Sequence, residues 1–214
     1  NKEEKRSEEW FFEDGLVGYL TENMVPDISI PIPPFTGNSK SSEGELEWGI
    51  YWSIEDTELL RESYVNLIPT TQGGTHISGM RQGLVDAVRD FSESRNLLPK
   101  GVKITGDDLV ENCAYLLSVK LKNPQFSGQT KERLSSRSCS LMVSNALKDQ
   151  FALWLHKHVE SGERISELII NRARDRQKKT TIVRKRIVGG GPALPGKLAD
   201  CTEQDLEITE LFLV

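Results

Sequence analysis

Residues 116–134 read LLSVKLKNPQFSGQTKERL, in which an alternating segment passes through a turn into a polar loop. From Leu117 to Leu121, apolar side chains alternate with polar ones, and this period of two predicts a β-strand buried on one face. The Asn123–Pro124 pair predicts a turn directly after the strand. We therefore expect Gln129 and Lys131 to lie on a surface loop at the end of a sheet.

Two upstream segments have the same alternation and predict two more strands. The first has large apolar side chains on one face, namely Trp48, Ile50, Trp52 and Ile54. The second covers residues 62–68, with Val65 and Leu67 expected on one side. Such a pattern suits a sheet with one face against helices and a wetter opposite face.

Residues 26–45 are rich in proline, glycine and serine, so we expect an irregular loop there. Within this loop, Ile28, Ile30 and Ile32 predict a short edge strand. An edge position tolerates proline because the missing N–H faces solvent rather than a neighbouring strand.

Helical spacing begins after the Gly73–Gly74 pair, with Thr75 as the expected N-cap. The apolar stripe that follows consists of Ile77, Met80, Leu84, Val88 and Phe91. Thr105, followed by two aspartates, predicts another helix start, because carboxylates are favoured at the positive end of the helix dipole.

The C-terminal half of the chain is expected to be mostly helical. One helix is predicted over residues 138–158, with the stripe Val143, Leu147, Phe151 and Trp154. Another is predicted to begin at Gly162, and its apolar stripe fades after Ile170, so this helix is expected to leave the core. The element order predicts an α+β fold, a sheet with helices on one face followed by a long helical arm.

The 214 residues carry a formal net charge of −5, but this charge is unevenly distributed. Residues 171–186 read NRARDRQKKTTIVRKR, with five arginines and three lysines against one aspartate. This segment therefore holds a charge of +7, which leaves −12 for the rest of the chain. An acidic body with one concentrated basic segment predicts contact with a polyanion at that segment.

Composition disfavours several other classes of protein. The sequence contains no run of 18 apolar residues, so no transmembrane helix is predicted, and its charged first residues do not form a secretory signal. The three cysteines, Cys113, Cys139 and Cys201, include no CxxC pair, which favours a reduced, cytoplasmic setting. With three scattered histidines, no metal site is predicted. The missing initiator methionine indicates a piece of a longer protein.

The loop after the last predicted strand holds the first candidate site. A lysine on a flexible loop can place its ammonium group on a phosphate. A neighbouring glutamine can donate a hydrogen bond to a phosphate oxygen or orient a water molecule. Lys131 and Gln129 have this arrangement, with Gly128 beside them. The same composition is also compatible with a solvated turn.

The basic segment holds the second candidate site. Arg172, Arg176 and Lys179 are spaced to face one way on a helix and could contact the phosphates of duplex DNA. The alternative is a solvated helix end, where basic residues are favoured by the dipole. His76, which follows the Gly73–Gly74 pair, is interpreted as a capping or turn residue rather than a catalyst.

Three stretches in this order resemble the B subunits of bacterial type IIA DNA topoisomerases, the gyrase and topoisomerase IV family. They are ESYVNLIPTTQGGTH (62–76), LLSVKLKNPQFSGQTKERL (116–134) and LPGKLADC (194–201). A fourth, ELFLV (210–214), resembles the strand that leads into the acidic motif of the family's Toprim domain. The runs SYVNLIPT (63–70) and QTKERLSSR (129–137) look more like topoisomerase IV than gyrase.

The resemblance implies the transducer fold of this family, a four-stranded mixed sheet with helices on one face, related to folds in ribosomal proteins and sugar kinases. It also implies that Gln129 and Lys131 bind the γ-phosphate of ATP, and that Lys131 takes part in catalysis. Mg²⁺ would be held by domains absent from this chain. The long helix would continue toward the DNA gate.

The partners implied by the resemblance are the ATPase and Toprim domains of the same subunit, a DNA-cleaving A-type subunit and double-stranded DNA. Together they would form an A2B2 heterotetramer that decatenates and relaxes DNA in the cytoplasm, without a membrane. The isolated fragment is expected to be inactive. We expect a sheet-and-helix body over 1–135, the long helices over 136–188, and a linker with a first Toprim strand over 189–214.

Two other functions remain open from the sequence. The chain could be a DNA-binding module without a nucleotide role, in which the basic helix supplies affinity and Lys131 is incidental. It could also be a structural linker. Only the transducer function requires Lys131 next to a phosphate, whereas a steep salt dependence of DNA binding would separate the second function from the third.

Overall fold

The computed structural model describes residues 15–55 and 57–188, with side chains described as far as residue 180. Its centre is a mixed sheet with the strand order β1-β2-β5-β3-β4. The strands are β1 (Ser29–Lys40), β2 (Gly44–Ser53), β3 (Arg61–Val65), β4 (Ile68–Pro69) and β5 (Cys113–Leu121). Only the β3–β5 pair is parallel among these neighbours. The α+β class agrees with the prediction, but the sheet has five strands rather than four.

The additional strand, β4, comes from a tight turn that the alternation did not reveal. Asn66 and Leu67 have φ values of 50° and 65°, which a two-residue hairpin turn requires of both central residues. The turn places Leu67 in solvent with 79% of its surface exposed, whereas Val65 is buried. The prediction that Val65 and Leu67 share a side is therefore wrong.

Strand β1 is longer and more regular than the predicted loop over residues 26–45. It pairs with β2 along most of its length, and its register shifts between Ile30 and Phe35, where the prolines lie. The edge position was predicted correctly, because β1 is the first strand of the sheet. Ile30 is buried but Ile32 is exposed, so the three isoleucines do not share one buried face.

The described residues contain five α-helices and a short 3₁₀ helix at Pro26–Ile28. The α-helices are α1 (Leu16–Glu22), α2 (Thr75–Ser94), α3 (Gly106–Val110), α4 (Arg137–Lys157) and α5 (Val159–Val188). The predicted apolar stripe of α2 is buried throughout, and so are Val143, Leu147 and Phe151 of α4. The helix start predicted at Thr105 is confirmed, and Thr105 and Asp108 form a capping box there.

Helices lie on both faces of the sheet, which corrects the expected one-sided arrangement. The main core joins Trp48, Ile50 and Trp52 of β2 to side chains of α2 and α4. On the opposite face, Leu20 of α1 is fully buried beside Gly49, because the absent side chain leaves room for it. The second face of the sheet is therefore covered by α1, the helix that precedes β1 in the chain.

Helices α2 and α4 approach each other at backbone distance. A Cβ added at Gly79 would collide with the carbonyl of Ser140, and one at Gly83 would collide with the carbonyl of Ser144. Glycines on one helix and serines on the other thus allow a close approach that larger residues would prevent. The two helices form the layer that carries the candidate site described below.

Helix α5 begins at Val159, three residues before the predicted Gly162, and buries Ile165, Ile169 and Ala173. By internal contacts the chain divides into two units, Asn1–Arg176 and Gln177–Val214. None of the described helices is long and apolar enough to cross a membrane. The predicted linker and Toprim strand over 189–214 lie outside the described residues.

Candidate functional site

The loop between β5 and α4 forms a small hairpin of its own. Phe126 pairs with Leu134 in an antiparallel bridge, and the Ser127 N–H donates to the Arg133 carbonyl at 2.8 Å. These four residues are the stem of the hairpin. Residues 128–132 form its tip.

The stem is attached to the start of α2. The Leu134 N–H donates to the Gly73 carbonyl, and the Leu134 carbonyl accepts from the Thr75 N–H, both at 3.0 Å. Gly74 has a φ of 133°, and a Cβ there would collide with the backbone of Leu134. The N-cap of α2 is Gly74 and not Thr75 as predicted, because Thr75 is already the first residue of the helix. Leu134 is buried, so the stem is fixed to the body of the protein.

The hairpin is also attached to the start of α4. Ser136, the N-cap residue of this helix, accepts a hydrogen bond from the Gln125 N–H at 2.8 Å. Ser135 reinforces this end, because its hydroxyl donates to the Gln125 carbonyl at 3.0 Å. The loop therefore joins the first turns of two helices that pack closely on each other.

The tip presents the two residues that the sequence singled out. Gln129 and Lys131 are both exposed. Gly128 and Lys131 have φ values of 88° and 58°, so the chain turns sharply on both sides of Gln129 and Thr130. Within the described part of the chain, neither Gln129 nor Lys131 has a hydrogen-bonding or charged partner for its side chain. An ammonium and a carboxamide in this state suit an anion presented from outside the described residues.

His76 belongs to the interior rather than to the site. The Thr70 hydroxyl lies 2.9 Å from the Ser63 carbonyl, which accepts from it, and 3.0 Å from His76 Nε2. Burial lowers the pKa of His76 to about 4. An enclosed, neutral imidazole is a structural group. It links the end of β4 to the first turn of α2, although the sequence suggested a turn or cap.

Arg176, the central residue of the predicted basic ridge, pairs with an acid of α3. Its Nε donates to Asp108 Oδ1 at 2.7 Å, while Nη2 donates to Asp108 Oδ2 and to the Lys103 carbonyl, each at 2.9 Å. Burial by itself raises the pKa of Asp108, but the hydrogen bonds from Arg176 and Thr105 outweigh it and hold that pKa below its usual value. The pair fixes this point of α5 against the body.

Arg172 and Lys179, the other two residues of the predicted ridge, have different surroundings. Arg172 Nη1 lies 3.7 Å from Glu111 Oε1, so it also faces an acid just after α3. Lys179 is exposed. Two of the three predicted DNA-binding side chains thus have acidic neighbours on the body, which the sequence did not reveal.

The described residues offer no group of three or more His, Cys, Asp or Glu side chains that could hold a metal ion. Cys113 and Cys139 are buried free thiols, and burial raises the pKa of both. A buried, protonated thiol is a poor nucleophile. The chemistry available at the candidate site is therefore that of the loop tip.

Sequence reasoning missed one pair of residues at this site. The Gln72 N–H donates to the Glu132 carbonyl at 3.0 Å, which places the residue before the glycine pair beside the tip. The two residues are 60 positions apart, and no local pattern connects them. Only the resemblance of both stretches to one family could have drawn attention to them together.

Comparison with known proteins gives a consistent result. A family model described as DNA gyrase B matches residues 15–184. The chain is 53% identical over 206 residues to the B subunit of DNA topoisomerase 4 from Haemophilus influenzae, covering 96% of this chain and 32% of that protein. It is 52% identical over 205 residues to the corresponding Escherichia coli protein, with 96% and 32% covered. The chain thus spans about a third of the length of these curated relatives.

Solved structures are similar as well. One is the topoisomerase IV ATP binding domain of Francisella tularensis in complex with a small molecule inhibitor, with 38% identity and a TM-score of 0.69. That match covers 78% of this chain and 44% of the other. Another is the 43K ATPase domain of Thermus thermophilus gyrase B in complex with an aminocoumarin, with 25% identity and a TM-score of 0.62 over 71% and 40% of the two chains.

Proposed function

Because this chain belongs to the DNA gyrase B family of bacterial type IIA topoisomerase B subunits, we propose that it is the transducer segment of an ATP-dependent type II topoisomerase. In this proposal, Gln129 and Lys131 contact the γ-phosphate of ATP bound by another part of the subunit. Nucleotide state is then relayed from the loop through the helices toward the DNA gate.

The observation that carries the proposal is the contrast between the exposed tip and its anchored stem. Lys131 presents an ammonium group without a partner among the described residues, on a hairpin fixed to the starts of α2 and α4. A solvated turn needs no such anchoring. A contact that relays movement needs this anchoring, because displacement of a loosely attached loop would not move the helices.

The difference between ATP and ADP explains how this contact could report the nucleotide state. The γ-phosphate is present in ATP and absent from ADP, so Lys131 would have a charged partner in one state and none in the other. A ligand shifts a conformational equilibrium only by such differential binding. Loss of the contact after hydrolysis would release the hairpin and allow rigid-body movement of the segment. Lys131 would also offset charge that develops on the transferred phosphoryl group.

The close packing of α2 on α4 supports the relay. Both helices receive the hairpin at their first turns, and Gly79 and Gly83 bring the helix backbones together. Closely packed interiors transmit displacement rather than absorb it. Movement imposed at the tip would therefore reach the far end of α4.

The complete subunit would supply what this segment lacks. We propose that its ATPase domain binds ATP with Mg²⁺, that its Toprim domain follows this segment, and that it assembles with a DNA-cleaving A-type subunit as A2B2 on duplex DNA. The reaction would be decatenation and relaxation in the cytoplasm, and this segment alone would be inactive. These proposals are supported by the similarity to topoisomerase 4 B subunits about three times as long as this chain.

DNA binding without a nucleotide role is the second candidate. Its main support is the basic segment, but Arg176 and Arg172 have acidic partners on the body. These ion pairs reduce the positive charge that the ridge could offer to phosphates. We therefore rank this function below the transducer role and expect any DNA contact to come chiefly from Lys179 and the residues beyond it.

The test compares Lys131→Ala with the parent in the subunit at the full length of its relatives. We expect ATP hydrolysis to fall by about a hundredfold or more, in keeping with the loss of a charged group from a phosphoryl-transfer site, while ADP affinity hardly changes. Lys122→Ala is the matched control, because Lys122 is an exposed lysine at the other end of the same loop. Unchanged hydrolysis in Lys131→Ala would refute the proposed role of the loop.

A further inference from the structure

We propose that Glu132 and Gln72 act as positioning residues, holding the tip of the hairpin in the conformation that aims Gln129 and Lys131 at a phosphate. This inference rests on the proposed function above. Neither residue is proposed to contact the nucleotide. Their effect is exerted through Lys131, the neighbour of Glu132 in the chain.

The carboxylate of Glu132 ties the tip to the segment that enters α2. Gln72 Nε2 donates to Glu132 Oε2 at 2.9 Å, and the Thr130 hydroxyl donates to the same oxygen at 3.3 Å. The backbone adds a third link, from the Gln72 N–H to the Glu132 carbonyl at 3.0 Å. Lys131 therefore lies in the chain between Thr130 and Glu132, whose side chains are hydrogen-bonded to each other.

The backbone of Lys131 explains why such links are needed. Its φ of 58° lies in the left-handed region, which costs an ordinary residue roughly 1–2 kcal/mol. Lysine lacks the short polar side chain with which asparagine and aspartate offset this cost locally. Gly128, on the other side of the tip, adds freedom rather than restraint. The restraint has to come from neighbouring residues, and Glu132 and Gln72 supply it.

The direction of the Glu132 carboxylate also matters. A carboxylate next to a phosphate would repel it, but the hydrogen bond from Gln72 holds this one toward the segment that enters α2. Its charge is thereby used to accept hydrogen bonds, which are stronger to an ionised acceptor than to a neutral one. The tip thus presents positive charge at Lys131, while the carboxylate of Glu132 is hydrogen-bonded to Gln72 in the segment that enters α2.

The first test is hydrogen exchange in Gln72→Ala of the two backbone amides that hold the tip, in the subunit at the full length of its relatives. These are the amide of residue 72, bonded to the Glu132 carbonyl, and that of Ser127, bonded to the Arg133 carbonyl. The change removes the side-chain donor but leaves the sequence of the hairpin intact. We expect exchange of both amides to accelerate roughly three- to tenfold, the equivalent of one lost hydrogen bond. Gln82→Ala is the control, because Gln82 on α2 is bonded to Asp86 and not to the hairpin. Unaltered exchange in Gln72→Ala would overturn the inference.

The second test measures ATP hydrolysis. Glu132→Ala and Gln72→Ala are expected to lower kcat for ATP hydrolysis roughly three- to tenfold, with unchanged ADP affinity and unchanged thermal stability. Gln72→Glu places two carboxylates together and should be the most damaging single change. Combining it with Glu132→Gln restores an amide–carboxylate pair with the roles exchanged, so the double variant should recover most of the loss. A double variant no better than Gln72→Glu would contradict a pairwise positioning role.

The two tests separate this inference from the proposed function. If exchange accelerates but neither Lys131→Ala nor Gln72→Ala alters hydrolysis, the restraint is real and the proposed function is wrong. If Lys131→Ala is inactive while Gln72→Ala retains full hydrolysis despite faster exchange, the proposed function stands. In that case tip order does not serve the reaction, and the positioning inference is refuted.

Discussion

The guanidinium of Arg176 forms two hydrogen bonds with the carboxylate of Asp108, at 2.7 Å and 2.9 Å, and the Asp108 side chain is only 2% exposed. The same carboxylate accepts from the N–H and the hydroxyl of Thr105, each at 2.8 Å. One buried acid thus caps α3 and fixes α5. Its negative charge requires both sets of donors.

Removal of the guanidinium should destabilise the chain. We expect Arg176→Ala to lower the free energy of unfolding by about 1.5–3 kcal/mol, because a buried carboxylate loses charged hydrogen bonds. Urea denaturation followed by circular dichroism would measure the change. Arg174→Ala, at an exposed position of the same helix, should alter stability by less than about 0.5 kcal/mol. Equal effects of the two substitutions would show that the Arg176–Asp108 pair contributes nothing particular.

Stability should decline in mild acid because of His76. The pKa of His76 is lowered by burial to about 4, whereas an unfolded histidine titrates near 6.5. A depressed pKa means that the contribution is complete above pH 6.5 and is lost as pH falls toward 4, by up to about 3 kcal/mol. The measurement is unfolding free energy against pH, in which His76→Gln should remove this slope. His156→Gln, at an exposed position of α4, should retain it.

The approach of α2 to α4 predicts an unusual response to alanine. Within a helix, replacing glycine by alanine normally stabilises by about 1 kcal/mol. At Gly83 the new Cβ would collide with the Ser144 carbonyl, so we expect destabilisation of about 1–3 kcal/mol. Gly106→Ala on α3 is the control, because its Cβ would meet Arg81 at an ordinary 3.4 Å. A stabilised Gly83→Ala variant in thermal denaturation would contradict the close packing.

The basic segment predicts a measurable salt effect on binding to duplex DNA. If Lys179 contacts a phosphate, Lys179→Ala should flatten the slope of log affinity against log salt concentration by about 0.9. Lys100→Ala, an exposed lysine in the loop before α3, should leave the slope unchanged. Identical slopes for all three proteins would remove Lys179 from the proposed DNA contacts.

Local patterns predicted the elements whose environment is uniform along their length. The stripe of α2 was predicted correctly because it faces one core along its length. The alternation of β5 predicted the strand, but not that its second face is also buried, by Ala114 and Leu116. The β3–β4 turn was missed because nothing in a period-two pattern marks the reversal at Asn66 and Leu67. Composition likewise suggested an irregular loop where β1 lies. It could not show the pairing of β1 with β2, which forms despite the prolines.

At the candidate site too, some residues could be identified from the sequence and others could not. Gln129 and Lys131 could be named from the sequence, because their chemistry and their resemblance to a known family are local properties. The contacts of Glu132 with Gln72, and of Arg176 with Asp108, join residues 60 and 68 positions apart. Such contacts depend on how the sheet and helices assemble, which periodicity does not encode.

The strand order of the sheet has a consequence for how the chain folds. Strand β2 pairs with β5 from Gly44–Leu121 to Trp52–Cys113, whereas its pairing with β1 joins near neighbours in the chain. Contacts between distant segments require closure of a long loop first, so they form slowly. During synthesis, the β2 edge of the β1–β2 hairpin therefore stays unpaired until β5 emerges, and Trp48 and Trp52 stay incompletely covered until α4 follows. A free strand edge of this kind can pair with other chains, so this interval is when the nascent protein most needs protection from aggregation.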